Sequence, residues 1–263
     1  MTRTALVTGA NRGIGLEFAR QLLARGDHVV AACRHPGKAP ALNSLAGEYP
    51  GRLHVLPLDV ADAKSRARLA HELPLVLGDD GRIDLLVNNA GVLHSGERFG
   101  HVEQAVLEDS LRTNAVGPFL LAQALAPLLR DSDGVAGDAV NQASIGERLD
   151  RIPGSPIATN RTVIANISSQ LGSIANTTRF GTPSYDISKA AQNMGSVLLS
   201  RALAERGIVV LALHPGWVQT EMGGTQAQVA PADAVAGLLR VIDAATAAQS
   251  GTFLDWRGAP LPW

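Results

Sequence analysis

Tyr185 and Lys189 stand four residues apart in Tyr185-Asp186-Ile187-Ser188-Lys189, a spacing that stacks a phenol and an ammonium on one helix face. A free tyrosine loses its proton only near pH ~10. A neighbouring cation favours the phenolate, and a phenol tuned in that way works as a general acid or base. The same spacing also arises by chance, as a surface tyrosine beside a solvated lysine. The pair therefore gains meaning only from its surroundings.

A second chemical feature lies at the other end of the chain. Thr4-Ala5-Leu6-Val7 runs into Thr8-Gly9-Ala10-Asn11-Arg12-Gly13-Ile14-Gly15, and helical spacing follows from Leu16. Strand, glycine-rich turn and helix in that order open a dinucleotide-binding βαβ unit. Gly9 allows the sharp turn, Gly13 lets backbone approach a pyrophosphate, and Gly15 lets the helix pack closely on the sheet. The helix N-terminus then offers free N–H groups and a positive dipole end to the phosphates.

The elements that must carry these groups alternate along the chain. Strands are expected at about 4–8, 28–33, 53–58, 83–88, 162–167, 208–213 and 251–255. Helical spacing occupies segments near 16–25, 62–76, 112–130, 184–206 and 231–247, with Gly26 and Gly207 placed as stops. Leu85-Leu86-Val87 and Val209-Val210-Leu211-Ala212-Leu213 are apolar on both faces, as buried parallel strands are. The alternation predicts an α/β fold, a Rossmann-type doubly wound parallel sheet of about seven strands with helices on both faces. One domain spanning 1–263 is expected. An irregular stretch rich in Gly, Asp, Ser, Asn and Pro at about 131–161 reads as a surface insertion.

With Thr8-Gly9-x-x-x-Gly13-x-Gly15, Asn88-Asn89-Ala90-Gly91, Tyr185/Lys189 and Pro215-Gly216 in one chain, the sequence resembles the short-chain dehydrogenase/reductase family over nearly its whole length. His214-Pro215-Gly216-Trp217-Val218-Gln219-Thr220-Glu221-Met222-Gly223-Gly224 and the closing Trp256 and Trp263 are similar to the C-factor and sniffer branch of that family. The resemblance implies a nicotinamide dinucleotide held by Gly9, Asn11, Arg12, Gly13, Ile14 and Gly15. It adds Asp59 and Val60 beside the adenine, and Asn89, Ala90 and Gly91 as cofactor lining. It adds Pro215, Gly216, Val218 and Thr220 after the sixth strand, with Thr220 anchoring the carboxamide. Asn88 is assigned to structural support.

The cofactor choice turns on charge. NAD-using relatives place a carboxylate at the end of the second strand, where it binds the ribose 2′-hydroxyl. Here that place holds Cys33 and then Arg34, and Arg12 adds a second cation on the same side. A guanidinium suits a phosphate dianion, so NADP(H) is expected over NAD(H).

The resemblance also distributes the chemistry. Ser169, three residues before Gly172 in Asn166-Ile167-Ser168-Ser169-Gln170-Leu171-Gly172, would polarise a substrate carbonyl, with Ser168 as the alternative. Tyr185 would donate the proton, and Lys189 would lower its pKa and hold the ribose hydroxyls. Asn114 would bend a helix and support a water relay. The substrate pocket is expected from Val92 to Phe99, Gln170 to Tyr185 and Trp217 to Gln226. That mixture fits an aldehyde, ketone or quinone. A C-factor-like regulatory protein using the dinucleotide as a sensor is the competing expectation.

Composition agrees with an ordinary globule. Of 263 residues, 46% are hydrophobic and 18% charged, which argues against disorder. A formal net charge of −1 implies no nucleic-acid partner. Seven scattered histidines and the single Cys33 form no metal constellation and no internal disulfide. No window approaches a membrane span and no secretory segment is evident, so a cytoplasmic protein is expected. The resemblance implies a homodimer or homotetramer.

Overall fold

The computed structural model describes residues 2–77, 81–132 and 161–263. Seven parallel strands form one sheet: β1 (Thr4–Thr8), β2 (His28–Cys33), β3 (Leu53–Pro57), β4 (Leu85–Asn88), β5 (Val163–Ile167), β6 (Val209–His214) and β7 (Thr252–Asp255). Their order is β3-β2-β1-β4-β5-β6-β7. Ala5 pairs with Val29 on one side and Leu85 on the other, so strand order reverses between β1 and β4. That reversal opens a crevice at the carboxyl ends of the strands, the ligand position of a doubly wound sheet.

Alternation along each strand divides the core into two layers. Ala5 and Val7 of β1 face one apolar cluster, where α1 (Gly13–Ala24) contributes Phe18 and Leu22, and α7 (Pro231–Asp243) contributes Val235 and Leu238. Leu6 faces the other, with Leu69 of α3 (Ala63–Glu72), Leu121 and Leu125 of α5 (Gly117–Leu125), and Leu199 of α6 (Pro183–Ala202). Both faces being covered explains the continuous apolar runs of β4 and β6.

Two helical segments differ from the sequence expectation. Pro40–Glu48 forms α2, which the periodicity did not reveal: only Leu42 and Leu45 are buried in it. The helix expected at 112–130 instead begins as α4 (Gln104–Leu111), passes through a π-helical turn (Arg112–Val116) and continues as α5. A π turn carries one extra residue, and this breaks the apolar period. Of the insertion expected at 131–161, residues 133–160 lie outside the described residues.

Helix α6 is unusual in its buried face. Ser184, Tyr185, Ser188, Lys189, Gln192, Asn193 and Ser196 all point inward. A polar inner stripe is stable only if its groups find partners. Asn166 Nδ2 donates to Ser196 Oγ at 2.8 Å, Ser168 Oγ to Asn193 Oδ1 at 2.6 Å, and Asn114 Nδ2 to Ser188 Oγ at 2.9 Å. The helix is thereby indexed to β5 and to the π turn by directional bonds, where an apolar face could slide.

Candidate active site

A cleft of about 1380 Å³ runs along the carboxyl edge of the sheet. Gly9, Asn11, Arg12, Gly13 and Ile14 line it, as do Arg34, Asp59, Val60, Asn89, Ala90 and Gly91. Ser169, Tyr185, Lys189, Pro215, Gly216, Val218 and Thr220 complete the expected residues found there. Two expected residues stand back from the cleft, Gly15 and Asn114.

The glycine turn is built by contacts from β4. Gly9 has a positive φ of 64°, and a Cβ on it would sit 2.9 Å from Ala90 Cα. Asn89 Nδ2 donates to Thr8 O (2.9 Å) and Gly9 O (3.3 Å), while Thr8 Oγ1 accepts from both Asn89 N and Ala90 N at 3.0 Å. Gly15 packs rather than lines: its Cβ would lie 2.3 Å from Gly9 O. The N-terminus of α1 has no side-chain cap, so its first N–H groups stay free to face the cleft. Gly13 meets the loop after β6, with a Cβ there 3.3 Å from Thr220 Cγ2. These close approaches, an uncapped helix end and a guanidinium at the end of β2 together fit a dinucleotide phosphate cradle.

Near the ends of β2 and β3, Asp59 Oδ1 accepts from Ala61 N at 2.9 Å, and Arg66 Nη1 donates to Val60 O at 2.6 Å. The turn carrying both residues is held from behind. Arg12 is ion-paired with Glu221 across the cleft mouth, both side chains exposed. Arg34 is exposed and makes no hydrogen bond or ion pair among the described residues. His35 and Lys38 also line this end, and sequence reasoning missed them. They lie in the short turn after β2, whose path depends on where α2 begins.

At the other end Ser169 and Tyr185 both line the cleft. Burial pushes the Tyr185 phenol up to about 12, and the neighbouring Ser169 hydroxyl works against the rise. Ser168 is turned away onto Asn193, which leaves Ser169 as the serine presented to the tyrosine. Lys189 Nζ lies 5.6 Å from the Tyr185 ring centroid and donates to Ile167 O (2.8 Å) and Gln192 Oε1 (2.9 Å). Desolvation brings its ammonium down to about 7. The expectation that Lys189 depresses Tyr185 thus needs correction: burial dominates both groups, and the ammonium is engaged by a strand carbonyl and a glutamine.

Asn114 is fully buried in the π turn. Its Oδ1 accepts from Val92 N at 2.8 Å, and its Nδ2 donates to Val92 O and Ser188 Oγ, both at 2.9 Å. Its amide ties the post-β4 loop to α6. Asn88 serves structure, donating to Asn166 Oδ1 at 2.8 Å. His214, unassigned in the sequence, lines the cleft with Nδ1 buried and unpartnered, and burial lowers its pKa to about 4.

The substrate side is narrower than expected. Val92, Leu93, Gln170, Leu171, Arg179, Trp217 and Met222 line the cleft. Phe99 and Phe180 do not; they pack edge to face at 5.8 Å, outside it. Ile174 projects outward, 78% exposed. Glu97 is turned onto the first turn of α6, its Oε2 accepting from Ser184 Oγ at 2.8 Å. Among the described residues no cluster of His, Cys, Asp and Glu could hold a metal ion, and no helix is long and apolar enough to cross a membrane.

A doubly wound sheet with a glycine-turn cleft and a serine–tyrosine–lysine group defines the class as a dinucleotide-binding oxidoreductase. Comparison with known proteins agrees. The short chain dehydrogenase family matches residues 3–156 and 156–230, and the chain belongs to that family. The C-signal protein of Myxococcus xanthus is 36% identical over 183 residues, 70% of this chain and 94% of that one. The carbonyl reductase Sniffer of D. melanogaster superposes with a TM-score of 0.85 at 31% identity, covering all of both chains. An NADPH-bound carbonyl reductase from chicken fatty liver gives 0.84 at 34% identity, covering 100% of this chain and 99% of that one.

Proposed function

We propose that this protein reduces the carbonyl group of a small aldehyde, ketone or quinone with NADPH. The observation that carries the reading is the placing of Ser169, Tyr185 and Lys189 on the wall of the cleft that the glycine turn also lines. When bound, the reduced nicotinamide supplies a hydride to the carbonyl carbon. Ser169 Oγ donates a hydrogen bond to the carbonyl oxygen and orients it. Tyr185 gives that oxygen its phenolic proton, completing the alcohol. Burial keeps the proton on Tyr185 at neutral pH until the substrate oxygen takes it. The Ser169 hydroxyl then stabilises the buried phenolate left behind. Arg34 supports the preference for a 2′-phosphate, since it stands free at the end of β2 where no carboxylate would repel one. Arg12 joins it only by exchanging Glu221 for the phosphate.

Tyr185→Phe tests the assignment. Consumption of NADPH against a panel of aldehydes, ketones and quinones should fall by roughly 10²-fold or more, while NADPH binding followed by fluorescence stays as in the wild type. Turnover that persists in this variant refutes the role. Wild-type silence across the panel with tight cofactor binding would instead indicate a dinucleotide sensor.

A further inference from the structure

The charges around the catalytic end of the cleft are unevenly satisfied. Among the described residues the carboxylates there have partners: Glu221 has Arg12, Asp109 has His94 and Arg112, and Glu97 has Ser184 through Oε2, its Oε1 staying buried without one. Asp186, next to Tyr185, accepts from Thr182 Oγ1 at 2.9 Å. Arg179 lines the same cleft and is exposed, with no hydrogen bond or ion pair among the described residues. It stabilises the Asp186 carboxylate at longer range without bonding to it. A guanidinium with all five donors free, in the cleft that Tyr185 also lines, is a ready partner for a planar anion. Leu171, Trp217 and Met222, partly exposed apolar side chains, line the same cleft.

Resting on the carbonyl-reductase reading, we infer that the substrates are amphipathic carbonyls carrying an anionic group, with Arg179 as the specificity-determining residue. The apolar body lies along Leu171, Trp217 and Met222, and a carboxylate or similar anion meets the Arg179 guanidinium. The carbonyl then reaches Ser169 and Tyr185.

The test uses three probes of one shape: 4-formylbenzoate, its methyl ester and 4-formyl-N,N,N-trimethylanilinium. Wild-type kcat/KM should favour the anion by on the order of fivefold, the scale of a solvent-exposed ion pair, and the preference should shrink at high salt. Arg179→Gln should remove the preference, lowering kcat/KM for the anion more than for the methyl ester; Arg179→Glu should reverse it towards the cation. Equal rates for the three probes, or an equal loss on all three in Arg179→Gln, overturn the inference while the proposed activity stands. A binding readout separates the two claims further. Saturation-transfer NMR on the NADPH-loaded protein should detect 4-methylbenzoate over its methyl ester, and lose that difference in Arg179→Gln. Selective binding without turnover would refute carbonyl reduction and keep the anion site; unselective binding refutes the anion site.

Discussion

Replacing Gly15 by alanine isolates the packing of α1 on the sheet from direct contact with a ligand. Gly15 does not line the cleft, yet a Cβ there would stand 2.3 Å from Gly9 O and 2.5 Å from Asn89 Nδ2. Neither neighbour can yield cheaply. Gly9 O is main chain in a turn held at positive φ, and Asn89 Nδ2 is bonded to Thr8 O. Forcing one methyl into a packed site costs roughly 1–3 kcal/mol, and losing an Asn89 hydrogen bond adds about 1 kcal/mol. Helix propensity returns at most about 1 kcal/mol. The net loss of about 1–3 kcal/mol corresponds to a Tm drop of roughly 2–12 °C for a chain of this size. Because α1 must retreat from Gly9, its first N–H groups move too, and NADPH affinity should fall with Tm. The comparison is Gly47→Ala in α2, where an added Cβ meets nothing within 4 Å; it should stabilise by up to about 1 kcal/mol. Calorimetry and cofactor titration on both variants decide the matter. Unchanged Tm in Gly15→Ala refutes the packing argument, and lost NADPH affinity at unchanged Tm would mean that Gly15 touches the ligand after all.

Three further outcomes follow from the same geometry. Arg34→Glu should move the NADPH/NADH preference towards NADH by about 10-fold or more, on the scale of a charge-assisted hydrogen bond; an unchanged ratio of the two kcat/KM values removes Arg34 from the 2′-phosphate site. Ser169→Ala should lower kcat with little effect on Tm, whereas Ser168→Ala should lower Tm by breaking the buried bond to Asn193; the opposite pattern would exchange their roles. His214 has a folded-state pKa of about 4 against an ordinary 6.5, so the unfolded chain binds the extra proton first. Its contribution is complete above pH 6.5 and is lost as pH falls towards 4, amounting to at most about 3 kcal/mol. His214→Asn should flatten the stability profile across that window in chemical denaturation, and an equally steep profile would assign the acid loss to other groups.

The strands were readable because a parallel sheet covered on both faces leaves uninterrupted apolar runs, and all seven fall within about two residues of the expected ranges. The glycine turn was readable for a related reason, since its residue types answer to backbone geometry. Helix α2 escaped notice because its apolar contribution is two leucines and its N-terminus has no side-chain cap. The choice between Ser168 and Ser169 could be stated but not settled from local spacing; Asn193, some 25 residues on, settles the orientation. Arg12 and Glu221 are 209 positions apart, and nothing in either neighbourhood announces their pairing. Lys189 was placed on the correct helix face, but its bond to Ile167 O depends on how α6 sits against β5.

The π turn at Arg112–Val116 places a constraint on chain length that differs from any constraint on residue type. Winding one residue fewer there would restore α geometry, with α5 keeping nearly its present facing because the turn absorbs the extra residue. Leu121 and Leu125 would stay in the core, while the wide turn that seats Asn114 against Val92 and Ser188 would be gone. Substitutions at exposed Val116 or Arg112 leave this count intact, whereas a single-codon deletion does not. In comparing sequences across this helix, a gap between 112 and 116 therefore signals a rebuilt junction with α6 more strongly than any mismatch does.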